Sequence, residues 1–252
     1  AGFLNGLAQD PTVKVIVNGG LQPTTPPSPT GIYIRTEDFK SGRITKIEDL
    51  KGKNVTSAGG YLGSAGSYWI GRYLEQGGLK LTDVNMVSLP SSAAVITALE
   101  NSQIDAGFAV YDFAKASIDK GLVQSIGDDD KALIGHVIYH YFGADRLMIN
   151  DRPLGVAFSR ALIRASREHL QGDFRQDPIV VEAMSKIASI PAEFFVQSPP
   201  LVFDRNLTPD VTGLLAMQAM FRPYNLLQYE QDLTREQMVD MTLTEDAVKS
   251  LG

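Results

Sequence analysis

Between Asn54 and Val110 the chain alternates short β-rich runs with amphipathic helical stretches, and this alternation limits its fold more than any other feature. Asn54-Val55-Thr56-Ser57 reads as a strand. A helix runs from there to about Gln76, with Trp69, Ile70, Tyr73 and Leu74 on its buried side and Gly77-Gly78 as its stop. Asn85 to Leu89 is the next strand, ended by Pro90. Ser91 or Ser92 caps a helix through Asn101 whose inward face holds Val95, Ile96 and Leu99. Ala106 to Val110 is a short, wholly apolar strand. Strands joined by helices at this spacing predict an α/β fold, a largely parallel sheet with helices on its faces.

The flanking stretches extend the pattern. Val13 to Val17 is a buried strand by its β-branched content, and Gly31 to Arg35 is another. The loop between them, Gly19 to Pro29, carries four of the thirteen prolines, which neither a helix nor a central strand tolerates. Ala1 to Gln9 places Phe3, Leu4, Leu7 and Ala8 on one helical face with nothing ahead to cap it. The sequence is therefore expected to enter in the middle of a helix. From about Gly135 the pattern restarts: His136 to Gly143 and Leu147 to Asn150 read as extended. Helices are expected over Pro153–Gln171, Pro178–Ser189, Thr208–Phe221 and Thr234–Leu243. Two βα regions joined by extended crossings predict two lobes. Asp128-Asp129-Asp130 reads as a solvated turn.

Composition removes several functions. With no cysteine among 252 residues, a thiol nucleophile, a Cys-ligated metal and a disulfide framework are impossible in this chain. A formal net charge of −6 offers no basic footprint for nucleic acid, so no nucleic-acid partner is expected. No run of about 18 apolar residues is present to span a membrane. The sequence has no GxSxG nucleophile elbow, no GxxxxGK[ST] phosphate loop and no GxGxxG fingerprint. His136 and His140 lie four apart, but Val137-Ile138-Tyr139 between them reads as strand. They are taken as strand or hinge histidines; neither a metal site nor a cofactor is expected.

The informative segment is Gly59-Gly60-Tyr61-Leu62-Gly63-Ser64-Ala65-Gly66, a glycine-rich loop that opens a helix. The first turn of a helix has N–H groups without intrahelical partners, and the helix dipole places partial positive charge there. Glycines let a ligand approach the backbone closely, and Ser57, Ser64 and Ser67 add hydroxyls. Such an end receives a carboxylate, sulfonate, phosphate or polar ring edge, and no lysine lies between Asn54 and Gly71. A tight strand-to-helix turn that needs glycine only for its geometry is the competing reading.

The order of these motifs resembles a known family. Ile47-Glu48-Asp49-Leu50-Lys51-Gly52-Lys53-Asn54-Val55, the Gly/Ser loop, Leu79-Lys80-Leu81-Thr82-Asp83-Val84, Val87-Ser88-Leu89-Pro90 and Ala98-Leu99-Glu100-Asn101-Ser102-Gln103-Ile104-Asp105-Ala106 follow one another. Together they resemble the substrate-binding proteins of ABC transporters that import sulfonates, taurine, nitrate or thiamine-type pyrimidines. The resemblance is strongest from Ile47 to Phe113.

It implies the type II periplasmic-binding fold: two lobes, each a mostly parallel sheet flanked by helices, joined by a two-strand hinge. Residues 1–46 and 138–252 would form lobe one, lacking its N-terminal part, and residues 47–137 lobe two. Gly60, Gly63, Ser64 and Ala65 match the family's ligand-facing backbone donors, with Ser57 and Gly59 in the same loop. Val110-Tyr111-Asp112-Phe113 matches a hinge segment that often reads Trp-Glu-Pro or Trp-Asp-Pro. Tyr111 would line the ligand, and Asp112 would accept a hydrogen bond from it or cap the hinge. The family implies a non-catalytic, monomeric receptor outside the cytoplasmic membrane, free or membrane-anchored, with a small-molecule ligand and a membrane permease as partners. A cytoplasmic biosynthetic enzyme on the same fold, of menaquinone- or thiamine-pathway type, is the alternative.

Overall fold

The structure is a computed structural model that describes residues 1–23, 28–127, 132, 136–188 and 191–252. The expected Asp128–Asp130 turn, the centre of the proline loop, Gly135 and Ser189 lie outside the described residues. In chain order the elements are α1 (Gly2–Gln9), β1 (Lys14–Asn18), β2 (Thr30–Arg35), α2 (Thr36–Lys40) and β3 (Asn54–Ala58). Next come α3 (Ala65–Leu74), β4 (Asn85–Leu89), α4 (Ser92–Glu100), β5 (Ala106–Val110), α5 (Tyr111–Asp119) and β6 (Val123–Ile126). They are followed by β7 (His140–Gly143), α6 (Arg152–His169), α7 (Pro178–Ala188) and α8 (Ala192–Gln197). The last are α9 (Thr212–Phe221), α10 (Arg235–Met238) and α11 (Thr242–Leu251). The chain divides into two compact units, Ala1–Pro23 with Gly135–Ser189 and Pro200–Gly252, and Thr24–Ile134 with Ile190–Pro199.

The second unit is built on a five-stranded sheet of order β4-β3-β5-β2-β6. β3 runs parallel to both β4 and β5. β2 is antiparallel to both β5 and β6. The expected boundary at residues 46/47 is therefore corrected. β2 pairs along its length with β5, from Thr30 opposite Val110 to Ile34 opposite Ala106, so the stretch before Ile47 belongs with this sheet. The short segment holding α8 also belongs to this unit, although the expected division placed it in lobe one. One face of the sheet buries Tyr33, Ala109, Val123 and Ile104 against Val95, Ile96 and Leu99 of α4. Trp69 and Tyr73 of α3 pack on Phe108, with Trp69 stacked at 6.3 Å between ring centroids.

A salt-bridge network closes the amino edge of β3 and β5. Arg43 grips Asp38 with two nitrogens at 2.6 and 2.7 Å and reaches Asp105 at 2.9 Å. Arg35 meets Asp38 at 2.6 Å and donates to the Leu99 and Ile104 carbonyls. The remaining Asp105 oxygen accepts the Asn54 N–H at 2.9 Å.

In the first unit β1 pairs with β7, antiparallel, with an irregularity between Val15 and Val17. The mostly parallel sheet expected of lobe one is not what the described residues form. β7 lies directly against β1, and their ladder is antiparallel; a parallel neighbour would instead need a crossover connection. Ile16 and Val17 sit on Ile163 of α6 and on Leu243 and Ala247 of α11. The Thr244 hydroxyl donates to the Ile16 carbonyl. Leu147 to Asn150, expected to be extended, winds into a helical turn from Arg146 to Asn150 that packs Leu147 and Met148 on this core. Asp151 then caps α6 through the Leu154 N–H. The helix expected from Thr208 begins at Thr212, and the one expected over Thr234–Leu243 is two helices interrupted where Val239 bridges Val15.

Candidate functional site at the carboxyl edge of the second sheet

β3 and β5 are neighbouring parallel strands, and each hands the chain to a helix at the same edge. β3 does so through the loop 59–64, whereas β5 passes into α5 with no loop at all. In open α/β sheets this carboxyl edge is where ligands collect.

The glycine loop is wound tightly on itself. Gly59 N–H donates to the Leu89 carbonyl, Gly60 N–H to the Ser57 carbonyl and Ser64 N–H to the Tyr61 carbonyl, all within 2.9 Å. Gly63 N–H donates to Ser67 Oγ at 3.0 Å, and that hydroxyl donates in turn to the Ser64 carbonyl. Ser64 is the N-cap of α3, its oxygen accepting the Ser67 N–H at 3.0 Å. The expected donor set is corrected accordingly: Gly60, Gly63 and Ser64 commit their amides to the turn. The N–H groups of Ala65 and Gly66, the first two of α3, have no acceptor among the described residues. Ala65, named from the sequence, and Gly66, not assigned to the ligand there, are thus the amides aimed out of the helix.

Glycine is also needed sterically here. A Cβ on Gly66 would lie 1.7 Å from Ser57 Oγ, and one on Gly60 2.9 Å from it. Gly59 and Gly63 adopt positive φ of 63° and 91°, which side chains disfavour. Ser57 is buried and its hydroxyl has no partner among the described residues, so it stands under the first turn of α3 rather than at the surface. At all four of these glycines the requirement is the geometry and packing of the turn itself, the competing reading of the loop.

Tyr111 and Asp112 occupy the first turn of α5, directly after β5. Tyr111 N–H donates to the Pro29 carbonyl at 2.9 Å, leaving the Asp112 and Phe113 amides without an acceptor among the described residues. Both side chains of Tyr111 and Asp112 are half-buried, whereas Phe113 is exposed, as is Tyr61 in the neighbouring loop. Burial raises the Asp112 carboxyl above the usual carboxylate range, and a hydrogen bond with Ser198 just beyond α8 acts the other way.

The arrangement presents two helix N-termini side by side, four free amides, exposed aromatic faces and no cationic side chain in the loop. Chemically it suits an acceptor-rich polar group on a small molecule. No group of three or more His, Asp or Glu side chains among the described residues is placed to hold a metal ion. No helix among them is long and apolar enough to cross a membrane.

Comparison with known proteins agrees with this architecture. No curated protein sequence is significantly similar to the chain. The periplasmic aliphatic sulphonate binding protein SsuA from Escherichia coli is similar in structure, with a TM-score of 0.65 and 19% identity over 95% of this chain and 72% of that one. The periplasmic nitrate-binding protein NrtA from Synechocystis PCC 6803 gives 0.68 and 11% over 95% and 68%. The desulfurization enzyme DSZB gives 0.60 and 14% over 96% and 80%. These likenesses establish the shared fold. The sequence model of the NMT1/THI5-like family matches residues 28–171, more than half of the chain, and the chain belongs to the NMT1/THI5-like family.

Proposed function

We propose that the protein is the solute-binding receptor of an ABC importer, acting outside the cytoplasmic membrane and passing its ligand to a permease. The ligand is a small polar organic molecule or anion of sulfonate, nitrate, carboxylate or pyrimidine type. One observation carries the reading: the Ala65, Gly66, Asp112 and Phe113 amides, without acceptors among the described residues, open two helices that start at the carboxyl ends of adjacent parallel strands. Amides and helix dipoles hold an oxyanion without a counter-charged side chain, which allows capture and release without chemistry. The fold shared with sulphonate- and nitrate-binding proteins supports the same reading. Tyr111 would add an aromatic face and a hydroxyl without a charge to desolvate, and Asp112 would select a ligand that also carries a donor.

An enzyme on the same fold is the second reading, favoured by the likeness to a desulfurization enzyme. Native mass spectrometry of the purified protein, followed by a thermal-shift panel of ethanesulfonate, nitrate, small carboxylates and aminopyrimidines, separates the two. A ligand at a hundred times its dissociation constant stabilises by about 2.7 kcal/mol. The receptor reading expects such a shift with the ligand recovered unchanged. A chemically converted ligand would establish the enzyme instead.

A further inference from the structure

The first unit has a polar feature that the amide-lined edge of the second does not use. Asn18 closes β1 and stands directly opposite His140, the first residue of β7. Directly opposed residues of an antiparallel pair share a face, with Cβ atoms about 4.5–5.5 Å apart. Asn18 is 2% exposed. Its backbone N–H donates to the Leu207 carbonyl and its Nδ2 to the Thr208 carbonyl at 2.8 Å. That second bond fixes the amide orientation, so Oδ1 is the atom left over, and it has no partner among the described residues. His140 Nε2 is likewise buried without a partner among the described residues. Two orphaned polar atoms on directly opposed residues of one face are costly unless something bridges them.

The neighbours say what would fit. His140 stacks on Phe142, which packs on Phe3 at 4.2 Å, so one side is aromatic. Asp210 is the charged group that acts on His140, and it is itself held by the Thr212 N–H and hydroxyl and approached by Arg235 at 3.5 Å. Burial pushes the imidazole down to about 4, so at neutral pH it is uncharged and presents no competing cation. An amide oxygen, a neutral imidazole and a nearby carboxylate together favour a hydrogen-bond donor over an anion.

We infer that the first unit carries a second small-ligand site, in which Asn18 Oδ1 and His140 Nε2 hold one hydrogen-bond-donating group, a water molecule or the N–H of a primary amine. The site takes the opposite chemistry from the amide-lined edge of the second unit.

Side-chain nitrogen NMR of the whole chain labelled at histidine and asparagine tests it, at pH 7, with methylammonium chloride against potassium chloride as the ionic control. An amine occupant gives a saturable shift of the His140 Nε2 signal that potassium chloride does not reproduce. A water occupant gives a nuclear Overhauser contact between bulk-exchanging water and the His140 or Asn18 side chain, unchanged by methylammonium. In either case Asn18→Leu should abolish the signal, and His140→Phe provides a second deletion should the first variant fail to fold. Absence of both signals in the folded wild type, or a direct Asn18–His140 hydrogen bond, would overturn the inference.

Discussion

Gly66 and Ser57 show how a single atom decides the start of α3. A methyl group on Gly66 would sit 1.7 Å from the Ser57 hydroxyl and 2.8 Å from its Cβ. Gly66→Ala should therefore destabilise the protein by about 1–3 kcal/mol, the usual scale of overpacking. Removing the hydroxyl in the same chain, Ser57→Ala, should return part of that loss in denaturant titrations. Strict additivity of the two changes would show that they do not meet. Ala65 is the complementary case, because proline is tolerated at the first helical position but has no N–H to donate. Ala65→Pro should leave the melting temperature nearly unchanged and weaken ligand binding about tenfold, or roughly 1.4 kcal/mol. Ser64→Pro would be a poorer probe, since the Ser64 amide holds the Tyr61 carbonyl. Gly63→Val would be poorer too, since Gly63 has a φ of 91°. From sequence, the glycine loop and the helix it opens were both legible. Which amides stay free was not, because that depends on how the turn 57–64 folds back upon its own donors. His140 contributes a pH dependence. Its pKa is lowered from 6.5 to about 4 by burial, so the unfolded chain takes up the proton first. The stability contribution is full above pH 6.5 and is lost as pH falls toward 4. Between pH 7 and 4.5 the wild type should lose about 2–3 kcal/mol more than His140→Phe.

Among the elements, the run from β3 to β5 was readable because each strand is β-branched or apolar and each helix is punctuated by serine, glycine or proline. α5 and β6 escaped notice for a physical reason. α5 follows β5 with no loop and no side-chain cap, so nothing in Tyr111–Asp119 marks its start. The split of the C-terminal helix was hidden likewise, because the bridge from Val239 to Val15 joins residues over two hundred positions apart. One local device recurs around these elements: Asp10, Asp210 and Asp240 each accept the N–H and hydroxyl of the threonine two residues on. Such side-chain turns compete well with regular structure and set where strands and helices begin. The network of Arg35, Asp38, Arg43 and Asp105 ties β2, α2, β3 and β5 together where hydrophobic contacts end. Asp38 is buried, and its hydrogen bonds with Arg43 hold its carboxyl below the usual range. Asp38→Ala leaves two guanidinium groups with one carboxylate and should cost about 2–4 kcal/mol in chemical denaturation, discounted for the partial exposure of Arg43. A loss below about 0.5 kcal/mol would reduce the network to a surface feature.

At the scale of the whole chain, two compact units were expected from the restart of the βα pattern, but not where the chain divides. β2 looked like part of the leading region because it precedes the repeating βα stretch. Its partners, β5 and β6, lie some seventy to ninety residues later, and strand pairing at that separation leaves no local trace. A different long-range pairing, the parallel one of β3 with β5, puts the starts of α3 and α5 at one edge, so the candidate site is a product of topology more than of any motif. The central claim is that this edge receives a small acceptor-rich solute and returns it unaltered. Titration calorimetry of wild type and Ala65→Pro with the solute found by native mass spectrometry, and mass analysis of that solute afterwards, tests it most directly. The account predicts a saturable heat in the wild type, an affinity about tenfold weaker in Ala65→Pro at an unchanged melting temperature, and an intact solute. Equal affinity in the two proteins, or a chemically altered solute, would contradict it.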